Sequence, residues 1–241
     1  MVGDSRIRPM PDAPRCLALV PCAGVGTRAG QGGPKQYSHL GGRSVVAHTL
    51  AALADCPGLH ATLVVLAPDD AAFEQHAPAF RGERAWVARC GGATRAASVA
   101  AGLDALRERG ARDDDWVLVH DAARCLLQPA WVQRLVDACR DDAVGGLLAL
   151  PLADTLKAAD AEGRVEATLP RDGKWLAQTP QMFRLGLLQR ALREAGPGVT
   201  DEASAVEALG LRPRLVPGEL ENLKVTWPGD FALAARLLET R

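Results

Sequence analysis

Short apolar runs alternate with helix-like segments along most of the chain, and this alternation constrains the fold more than any other feature. Runs of four or five residues, apolar but for one threonine, occupy positions 16–20, 62–66 and 116–119. Such runs are typical of strands that are buried on both faces of a parallel sheet. Because helical segments separate them, the pattern predicts βαβ units and an α/β fold, with a Rossmann-like, mostly parallel sheet flanked by helices.

The other predicted elements follow the same alternation. Ser44 is a suitable N-cap for a helix that buries Val45 and Leu53. Apolar spacing predicts further helices at 98–109, 129–140, 185–194 and 202–209, and one that opens at Pro228. Further strands are predicted at 85–88, at 147–150, and as short segments around Leu215 and Val225.

Residues 154–175 depart from this pattern because they are mostly polar. They predict a two-stranded excursion that turns at Glu162 and Gly163. An isolated hairpin is only marginally stable in water, so this β-arm is expected to protrude and to pack on something else. We predict one domain over 16–241 that carries the arm. Residues 1–15 hold several prolines and arginines without an apolar centre, and we expect a flexible leader there rather than a signal peptide.

Composition limits the possible partners. A formal net charge of -1 argues against nucleic acid or a membrane surface as a partner, because such binders carry a basic face or run. No stretch of 18 or more apolar residues is present, which argues against a transmembrane helix. The six cysteines show neither C-x-x-C pairs nor zinc-ligand spacing, which favours reduced thiols in a cytoplasmic protein.

A glycine-rich loop follows the first predicted strand. Its sequence GVGTRA at 24–29 matches the dinucleotide-binding fingerprint, but the loop runs on past Lys35 and the next strand begins only near residue 62. The loop therefore predicts a phosphate site at the carboxyl end of a strand, with Arg28 and Lys35 as its cations. The alternative is a surface turn that carries two solvated cations.

Further motifs narrow this interpretation. They are PCAGVGTR at 21–28 with PKQY at 34–37, GGATRAASV at 91–99, HDAAR at 120–124, TPQ at 179–181, TDEAS at 200–204 and NLKVT at 222–226. In this order they resemble the nucleotidyltransferases that activate sugar and alcohol phosphates. More narrowly, residues 16–241 resemble the 2-C-methyl-D-erythritol 4-phosphate cytidylyltransferase family of the non-mevalonate isoprenoid pathway.

The resemblance implies a reaction and its partners. The enzyme would transfer CMP from CTP to 2-C-methyl-D-erythritol 4-phosphate, giving 4-diphosphocytidyl-2-C-methyl-D-erythritol and pyrophosphate. It would use Mg²⁺, act in the cytoplasm, and form a homodimer in which the arm embraces the second subunit.

The resemblance also implies roles for individual residues. Arg28 and Lys35 would stabilise charge on the triphosphate, while Lys224, Arg171 and Thr155 would hold the acceptor phosphate. Arg171 and Thr155 would do so in the neighbouring subunit's site. Asp121 would be the carboxylate near the metal. The remaining substrate-binding residues, around the cytosine and the ribose, would be Cys22, Ala23, Gly24, Gly26, Gly92, Ala93, Ser98 and Ala122.

Several positions differ from the family's pattern. Cys22 stands where alanine is usual, so its role there is one of backbone. Cys125 replaces the proline expected after Arg124. Ala93 stands where some relatives have aspartate, and Glu221 where an aspartate of a relative approaches the metal.

The chemistry of nucleotidyl transfer agrees with this set of residues. One phosphate attacks another, so positioning and charge stabilisation carry most of the catalysis. The acceptor phosphate is already ionised near neutral pH, so no general base is needed, and this favours a structural role for His120. For Arg124, a buried ion pair that only supports the loop remains an equal alternative to a role in the site.

Two alternative functions remain open on the sequence. The first is a cytidylyltransferase for another polyol phosphate, such as ribitol 5-phosphate, which would share the nucleotide half of the site. The second is a non-catalytic nucleotide-binding domain, which would not need two cations on the reacting phosphates.

Overall fold

The computed structural model describes residues 13–24, 33–196 and 198–240. Its strands are β1 Cys16–Pro21, β2 His39–Leu40, β3 Arg43–Ser44, β4 Ala61–Val65, β5 Ala85–Ala88, β6 Trp116–Val119, β7 Gly145–Pro151, β8 Leu156–Ala159, β9 Val165–Leu169, β10 Trp175–Arg184 and β11 Arg214–Pro217. Its helices are α1 Val45–Ala54, α2 Phe73–His76, α3 Arg95–Glu108, α4 Pro129–Cys139, α5 Leu185–Glu194, α6 Glu202–Ala208 and α7 Pro228–Glu239. A 3₁₀ turn covers Lys35–Tyr37.

Seven strands form the main sheet in the order β11-β7-β10-β6-β1-β4-β5. β1 runs parallel to both β4 and β6, β4 to β5, and β7 to β11. Only β10 is antiparallel, and it lies between β6 and β7. This arrangement confirms the predicted α/β fold with a mostly parallel sheet.

Helices cover both faces of this sheet. Along β1, Ala18 and Val20 pack towards α1 and α4, whereas Leu17 and Leu19 pack towards α3, α5 and α6. The side chains alternate between faces because successive Cβ atoms of a strand point to opposite sides. A third, smaller cluster lies beneath α7 and includes Cys125, which is buried there. Each central strand is therefore buried on both faces, as its uninterrupted apolar sequence predicted.

Local sequence explains where the helices begin. The hydroxyls of Ser44 and Thr94 accept hydrogen bonds from backbone N–H groups in the first turns of α1 and α3. Pro129 and Pro228 occupy the first turns of α4 and α7, where a missing N–H costs nothing. Asp201 and Ser204 form a reciprocal capping box at α6.

Three predicted boundaries or elements were wrong. No strand was predicted over β10, because Pro180 and the polar residues around it interrupt any apolar run. Conversely, the segment around Val225 forms no strand, and its N–H instead donates to the carbonyl of Ala123 at 2.9 Å. Helix α3 begins at Arg95 rather than at Ser98, because Thr94 supplies the cap.

The predicted arm is present as the hairpin β8–β9, which pairs antiparallel outside the main sheet. Gly163 adopts a φ of 78° at its turn, a conformation that favours glycine. Val165 and Leu169 are exposed on it, as is Leu176 where the chain returns to the sheet.

Within the described residues, no helix is both long and apolar enough to cross a membrane. No disulfide joins the six cysteines there. Most of the predicted leader, residues 1–12, lies outside the described part of the chain.

Candidate active site

A cavity of about 500 Å³ opens at the carboxyl ends of β1 and β6. Ligands bind at this edge in open α/β sheets, because the loops that leave the strands converge there. Most of the residues predicted from the sequence line it: Cys22, Ala23, Gly24, Lys35, Gly92, Ala93, Ser98, Asp121, Ala122 and Lys224.

A close approach of two loops shapes one wall of the pocket. A Cβ atom on Gly91 would lie 2.3 Å from the Cβ of Ala23 and 2.7 Å from the carbonyl oxygen of Leu66. Only glycine fits in such a space, so the backbone after β5 can lie against the backbone after β1. The N–H groups of Cys22 and Gly91 tie both loops to the end of β4, each through a 2.8 Å hydrogen bond to a carbonyl oxygen.

The loop before α3 is folded onto its own helix. The N–H of Gly92 donates to the hydroxyl of Ser98 at 3.1 Å, and Thr94 caps the first turn of α3. A Cβ on Gly92 would lie 2.6 Å from the Cβ of Ala97. Ser98 therefore holds the backbone of this loop in place at the pocket wall, next to Ala93.

The loop after β1 is held by Gln36, a residue of the PKQY motif for which the sequence indicated no role. The side-chain amide of this buried residue donates to the carbonyl oxygens of Cys22 at 3.1 Å and Gly24 at 2.8 Å. The thiol of Cys22 is buried, and burial raises its pKa well above the ordinary value. Cys22 thus offers no reactive thiolate, and its backbone N–H and carbonyl take part in the hydrogen bonds that hold this loop.

Lys35 enters the pocket from the 3₁₀ turn. Its Nζ donates to the carbonyl oxygen of Val225 at 2.8 Å. The same turn is anchored by Tyr37, whose hydroxyl donates to a carboxylate oxygen of Asp70 at 2.5 Å. Lys224, the residue immediately before Val225, lines the same pocket.

Three cations surround Asp121 at the end of β6. Its Oδ1 accepts from Nε of Arg95 at 2.9 Å, while its Oδ2 lies 2.9 Å from Nζ of Lys224 and 3.6 Å from Nε of Arg124. Burial by itself would raise the pKa of this carboxyl, but the three cations outweigh burial and hold the pKa well below its usual range. Asp121 is therefore ionised throughout the physiological range.

Arg95 connects this carboxylate to a second one. Its Nη1 and Nη2 donate to the two carboxylate oxygens of Glu202 at 2.6 and 3.0 Å. Burial opposes the charge on Arg95, yet Glu202 and Asp121 together hold its pKa above the ordinary value. Burial raises the pKa of Glu202, against the effect of the Arg95 guanidinium. Arg95 lies in the GGATRAASV motif and Glu202 in the TDEAS motif, and their place in these motifs was the only signal for them in the sequence.

His120 is fully buried and serves the structure of the loop. Its Nδ1 lies 3.0 Å from the hydroxyl of Thr179, which also accepts from the N–H of Asp121, and its Nε2 lies 3.2 Å from the carbonyl oxygen of Arg124. This network assigns the proton to Nε2. Burial lowers the pKa of His120 to about 4, so the ring is neutral at pH 7.

Arg124 braces the loop after β6 rather than lining the pocket. Its Nη1 donates to the carbonyl oxygen of Asn222 at 2.6 Å, and it faces Asp121 as described above. The structure thus favours the supporting role that the sequence left as an alternative.

Two of the predicted site residues within the described chain are not brought to this pocket. Thr155 and Arg171 are exposed on or beside the arm, and Arg171 donates to the carbonyl oxygen of Ala153. Gly26 and Arg28 lie outside the described residues. Glu221, at the position where a relative's aspartate approaches the metal, is exposed and does not line the pocket.

The residues present suit one Mg²⁺ ion held mainly by its nucleotide. Among the described residues, no three His, Cys, Asp or Glu side chains are grouped as a metal site. Mg²⁺ needs only one or two carboxylates when phosphate oxygens and water supply the other ligands. The ionised carboxylate of Asp121, on the pocket wall, meets that requirement.

The fold and the site together define a class of protein. A pocket at the strand ends of a mostly parallel α/β sheet, lined by two lysines, a carboxylate and glycine-rich loops, suits a nucleotidyltransferase. The chain belongs to the 2-C-methyl-D-erythritol 4-phosphate cytidylyltransferase family, whose sequence profile matches residues 16–240.

Individual relatives agree with this assignment. A 2-C-methyl-D-erythritol 4-phosphate cytidylyltransferase of Cupriavidus pinatubonensis is 55% identical over 94% of this chain and 95% of its own length. A bifunctional enzyme IspD/IspF of Albidiferax ferrireducens is 60% identical over 95% of this chain, which spans 54% of that longer protein. Among solved structures, a 4-diphosphocytidyl-2C-methyl-D-erythritol synthase is 42% identical, with a TM-score of 0.83 over 93% of this chain and 98% of its own.

Proposed function

We propose that this pocket is the active site in which the protein transfers CMP from CTP to 2-C-methyl-D-erythritol 4-phosphate. The products are 4-diphosphocytidyl-2-C-methyl-D-erythritol and pyrophosphate, in isoprenoid precursor biosynthesis. One observation carries the assignment of the site: Lys35, Lys224 and Asp121, from three distant parts of the chain, line the same cavity at the carboxyl edge of the sheet.

The nucleoside half of CTP is assigned to the glycine-rich wall. Backbone groups around Ala23 and Gly92 lie close together there, and Ser98 and Gln36 hold them rigidly. Hydrogen bonds to the edge of cytosine from fixed backbone groups discriminate strongly, because a wrong base leaves them unpaired. Gly24 and Ala122 are placed by this assignment beside the ribose.

The phosphates are assigned to the lysine side of the pocket. In the transfer, an oxygen of the acceptor phosphate forms a bond to the α-phosphorus of CTP while the bond to the leaving pyrophosphate breaks. Lys35, together with Arg28, stabilises the negative charge that develops on the triphosphate, and Lys224 holds the acceptor phosphate. No side chain has to accept a proton, which agrees with a neutral, fully hydrogen-bonded His120.

Asp121 is the residue that we assign to Mg²⁺. When bound, the ion neutralises charge on the phosphate oxygens and helps to align them. The protein contributes a carboxylate that stays ionised and whose orientation is set by Arg95 and Lys224. Glu221, being exposed, is not assigned to the metal.

The arm is assigned to a second copy of the chain. Val165 and Leu169 on the arm, and Leu176 on β10 where the chain returns to the sheet, are large apolar side chains that this protomer leaves exposed. Thr155 and Arg171 do not reach the pocket of their own chain, although Arg171 is well suited to grip a phosphate. A homodimer that places each arm at the partner's pocket explains both facts. The reaction is placed in the cytoplasm, in keeping with cysteines that form no disulfide in the described residues.

The assay is pyrophosphate release from CTP with each candidate acceptor. We expect turnover with 2-C-methyl-D-erythritol 4-phosphate and little with ribitol 5-phosphate, and CTP to be used far better than UTP.

Lys35→Ala should lower kcat by about a hundredfold, on the order of 3 kcal/mol of lost charge stabilisation. Arg140→Ala, which removes an exposed cation paired with Asp137 on α4, should leave kcat unchanged. Equal turnover of both acceptors, or native kcat in Lys35→Ala, would contradict the assignment.

A further inference from the structure

A chain of buried ion pairs joins helix α6 to the pocket wall. Glu202 is the first residue of α6, its side chain is almost completely buried, and it does not line the pocket. It pairs with Arg95 at the start of α3, and Arg95 in turn pairs with Asp121 at the end of β6. Lys224 completes the chain on the other oxygen of Asp121.

Arg95 binds its two carboxylate partners through different nitrogens. Glu202 binds both terminal nitrogens of the guanidinium and so fixes its orientation, with Nε making the hydrogen bond to Asp121. Arg95 consequently binds Oδ1 alone, and Oδ2 is left to Lys224 at 2.9 Å. A guanidinium that faces a single carboxylate prefers to bind both of its oxygens through two parallel hydrogen bonds. Without Glu202, the guanidinium of Arg95 would be free to turn its terminal nitrogens towards both oxygens of Asp121.

Glu202 is held firmly enough to impose this division. Asp201, the residue before it, caps α6 and also accepts from the side-chain amide of Gln181 at 2.8 Å. The oxygen of the same amide accepts from the N–H of Ala203 at 2.8 Å. Gln181 lies on β10, in the centre of the main sheet, so the start of α6 is fixed to the sheet on both sides of Glu202.

We propose that Glu202 is a positioning residue that prevents Arg95 from binding both oxygens of Asp121. It does so by fixing the orientation of the guanidinium through its terminal nitrogens, and the other oxygen of Asp121 then orients Lys224 and faces the phosphates in the pocket. This inference rests on the proposed function, and it adds to the site a residue that touches neither the pocket nor its ligands.

A purely structural role would give a different result. If Glu202 only neutralised a buried arginine, its loss would lower stability, and any activity change would follow the loss of folded protein. If Glu202 instead fixes which nitrogens of Arg95 face Asp121, its loss should lower kcat because the freed guanidinium of Arg95 is still present. Replacing Arg95 as well should then restore activity.

The test compares Glu202→Gln with the double variant Arg95→Lys/Glu202→Gln. Glutamine keeps the volume but loses the charge that holds the guanidinium. We expect kcat to fall by roughly tenfold to a hundredfold, the usual effect of removing an outer partner of a ligating group. The KM for CTP should change by less than about twofold, because the contacts to the base remain. The double variant should recover several-fold in kcat, since lysine keeps a positive charge but cannot bind both oxygens in parallel.

Asp115→Asn is the matched control. Asp115 is also a fully buried carboxylate bound to an arginine, Arg15, but it lies at the opposite end of β6 from Asp121. We expect this variant to lower the melting temperature and to leave kcat unchanged. CTP binding without acceptor, measured by calorimetry, adds a reading that does not depend on turnover. It should change little in Glu202→Gln.

The outcomes separate the two proposals. A double variant no more active than Glu202→Gln, or a Glu202→Gln enzyme with native kcat, would overturn the role of Glu202. A native chain that releases no pyrophosphate from CTP and 2-C-methyl-D-erythritol 4-phosphate would instead overturn the proposed function. Should Glu202→Gln fail to fold, Glu202→Asp replaces it, because a shorter carboxylate keeps one contact. A Glu202→Asp enzyme with an intermediate kcat that rises when Arg95→Lys is added would support the proposal. A kcat that falls further when Arg95→Lys is added would overturn it.

Discussion

At the scale of single residues, burial decides what each charged group of the site can do. Asp121 stays ionised because three cations compensate its burial. His120, one position earlier, has no such partner charge that outweighs its burial, and it stays neutral. The two neighbours therefore have opposite roles: one presents charge to the pocket, and the other fixes the loop through hydrogen bonds alone.

The neutral state of His120 predicts how stability depends on pH. The unfolded chain takes up a proton on this ring below the ordinary pKa of 6.5, whereas the folded chain does so only near pH 4. The unfolded state therefore binds more protons in this window, and stability falls as the pH is lowered through it. We expect a loss of about 2 kcal/mol in unfolding free energy between pH 7 and pH 5.

Urea unfolding at pH 7, 6 and 5 measures this loss. His120→Asn, which removes the titrating ring, should be less stable at pH 7 but should show a smaller dependence on pH. A native protein whose unfolding free energy is the same at pH 7 and pH 5 would show that the ring is not buried in its neutral form.

At the scale of elements, the pocket depends on how closely the loops after β1 and β5 approach each other. Their separation leaves no space for a side chain at Gly91. The loop after β1 is then tied to the 3₁₀ turn that carries Lys35, through the amide of Gln36. One close backbone contact thus helps to set both the glycine-rich wall and the lysine side.

Gly91→Ala tests this contact. The added methyl group would overlap the Cβ of Ala23 and push the two loops apart, so we expect unfolding free energy to fall by about 1–3 kcal/mol. The KM for CTP should rise in the same variant, because Ala23 belongs to the wall assigned to the base. Thermal denaturation measures the change in stability, and initial rates at varied CTP concentration measure the KM.

Gly58→Ala is the control, since its nearest neighbour is a side-chain oxygen of Gln133 at 3.7 Å, an ordinary contact distance. It should stay within about 0.5 kcal/mol of the native protein. A Gly91→Ala protein with native stability and native KM would mean that the two loops can separate without cost to the pocket.

At the scale of the whole molecule, the site as proposed draws on two copies of the chain. The arm β8–β9 forms its own two-stranded sheet and leaves apolar side chains exposed. Such a hairpin gains stability when it packs on another surface. Two-fold association would let each arm serve the other protomer's pocket, because such an interface uses the same surface on both subunits.

Subunit mixing tests this shared site. Arg171→Ala should raise the KM for the acceptor more than the KM for CTP. Mixing Arg171→Ala subunits with Lys35→Ala subunits should restore part of the activity, since a heterodimer holds one site with both residues intact. Sedimentation at assay concentration should give a dimer. A fully active monomer, or no restored activity despite proven subunit exchange, would refute the arrangement.

The sequence by itself determined the class of fold and much of the site. An uninterrupted apolar run places apolar side chains on both faces of a strand, so both faces have to be buried. This is why the parallel sheet was predicted correctly. Motifs placed after strands were brought together because the carboxyl ends of parallel strands share one edge. Of the predicted pocket residues within the described chain, those after β1, β5 and β6 converge as expected, and only Thr155 and Arg171 do not.

Tertiary structure alone decided the contacts that depend on distant residues. The antiparallel β10 enters the centre of the sheet although its polar residues and Pro180 hide it from any periodic pattern. Arg95 and Glu202 lie 107 positions apart, and nothing in local spacing shows that they pair. Periodicity reports which face of an element is buried, whereas an ion pair between two elements depends on how they pack. The sequence therefore supplied Asp121 and its lysine, and only the fold showed which charges hold them in place.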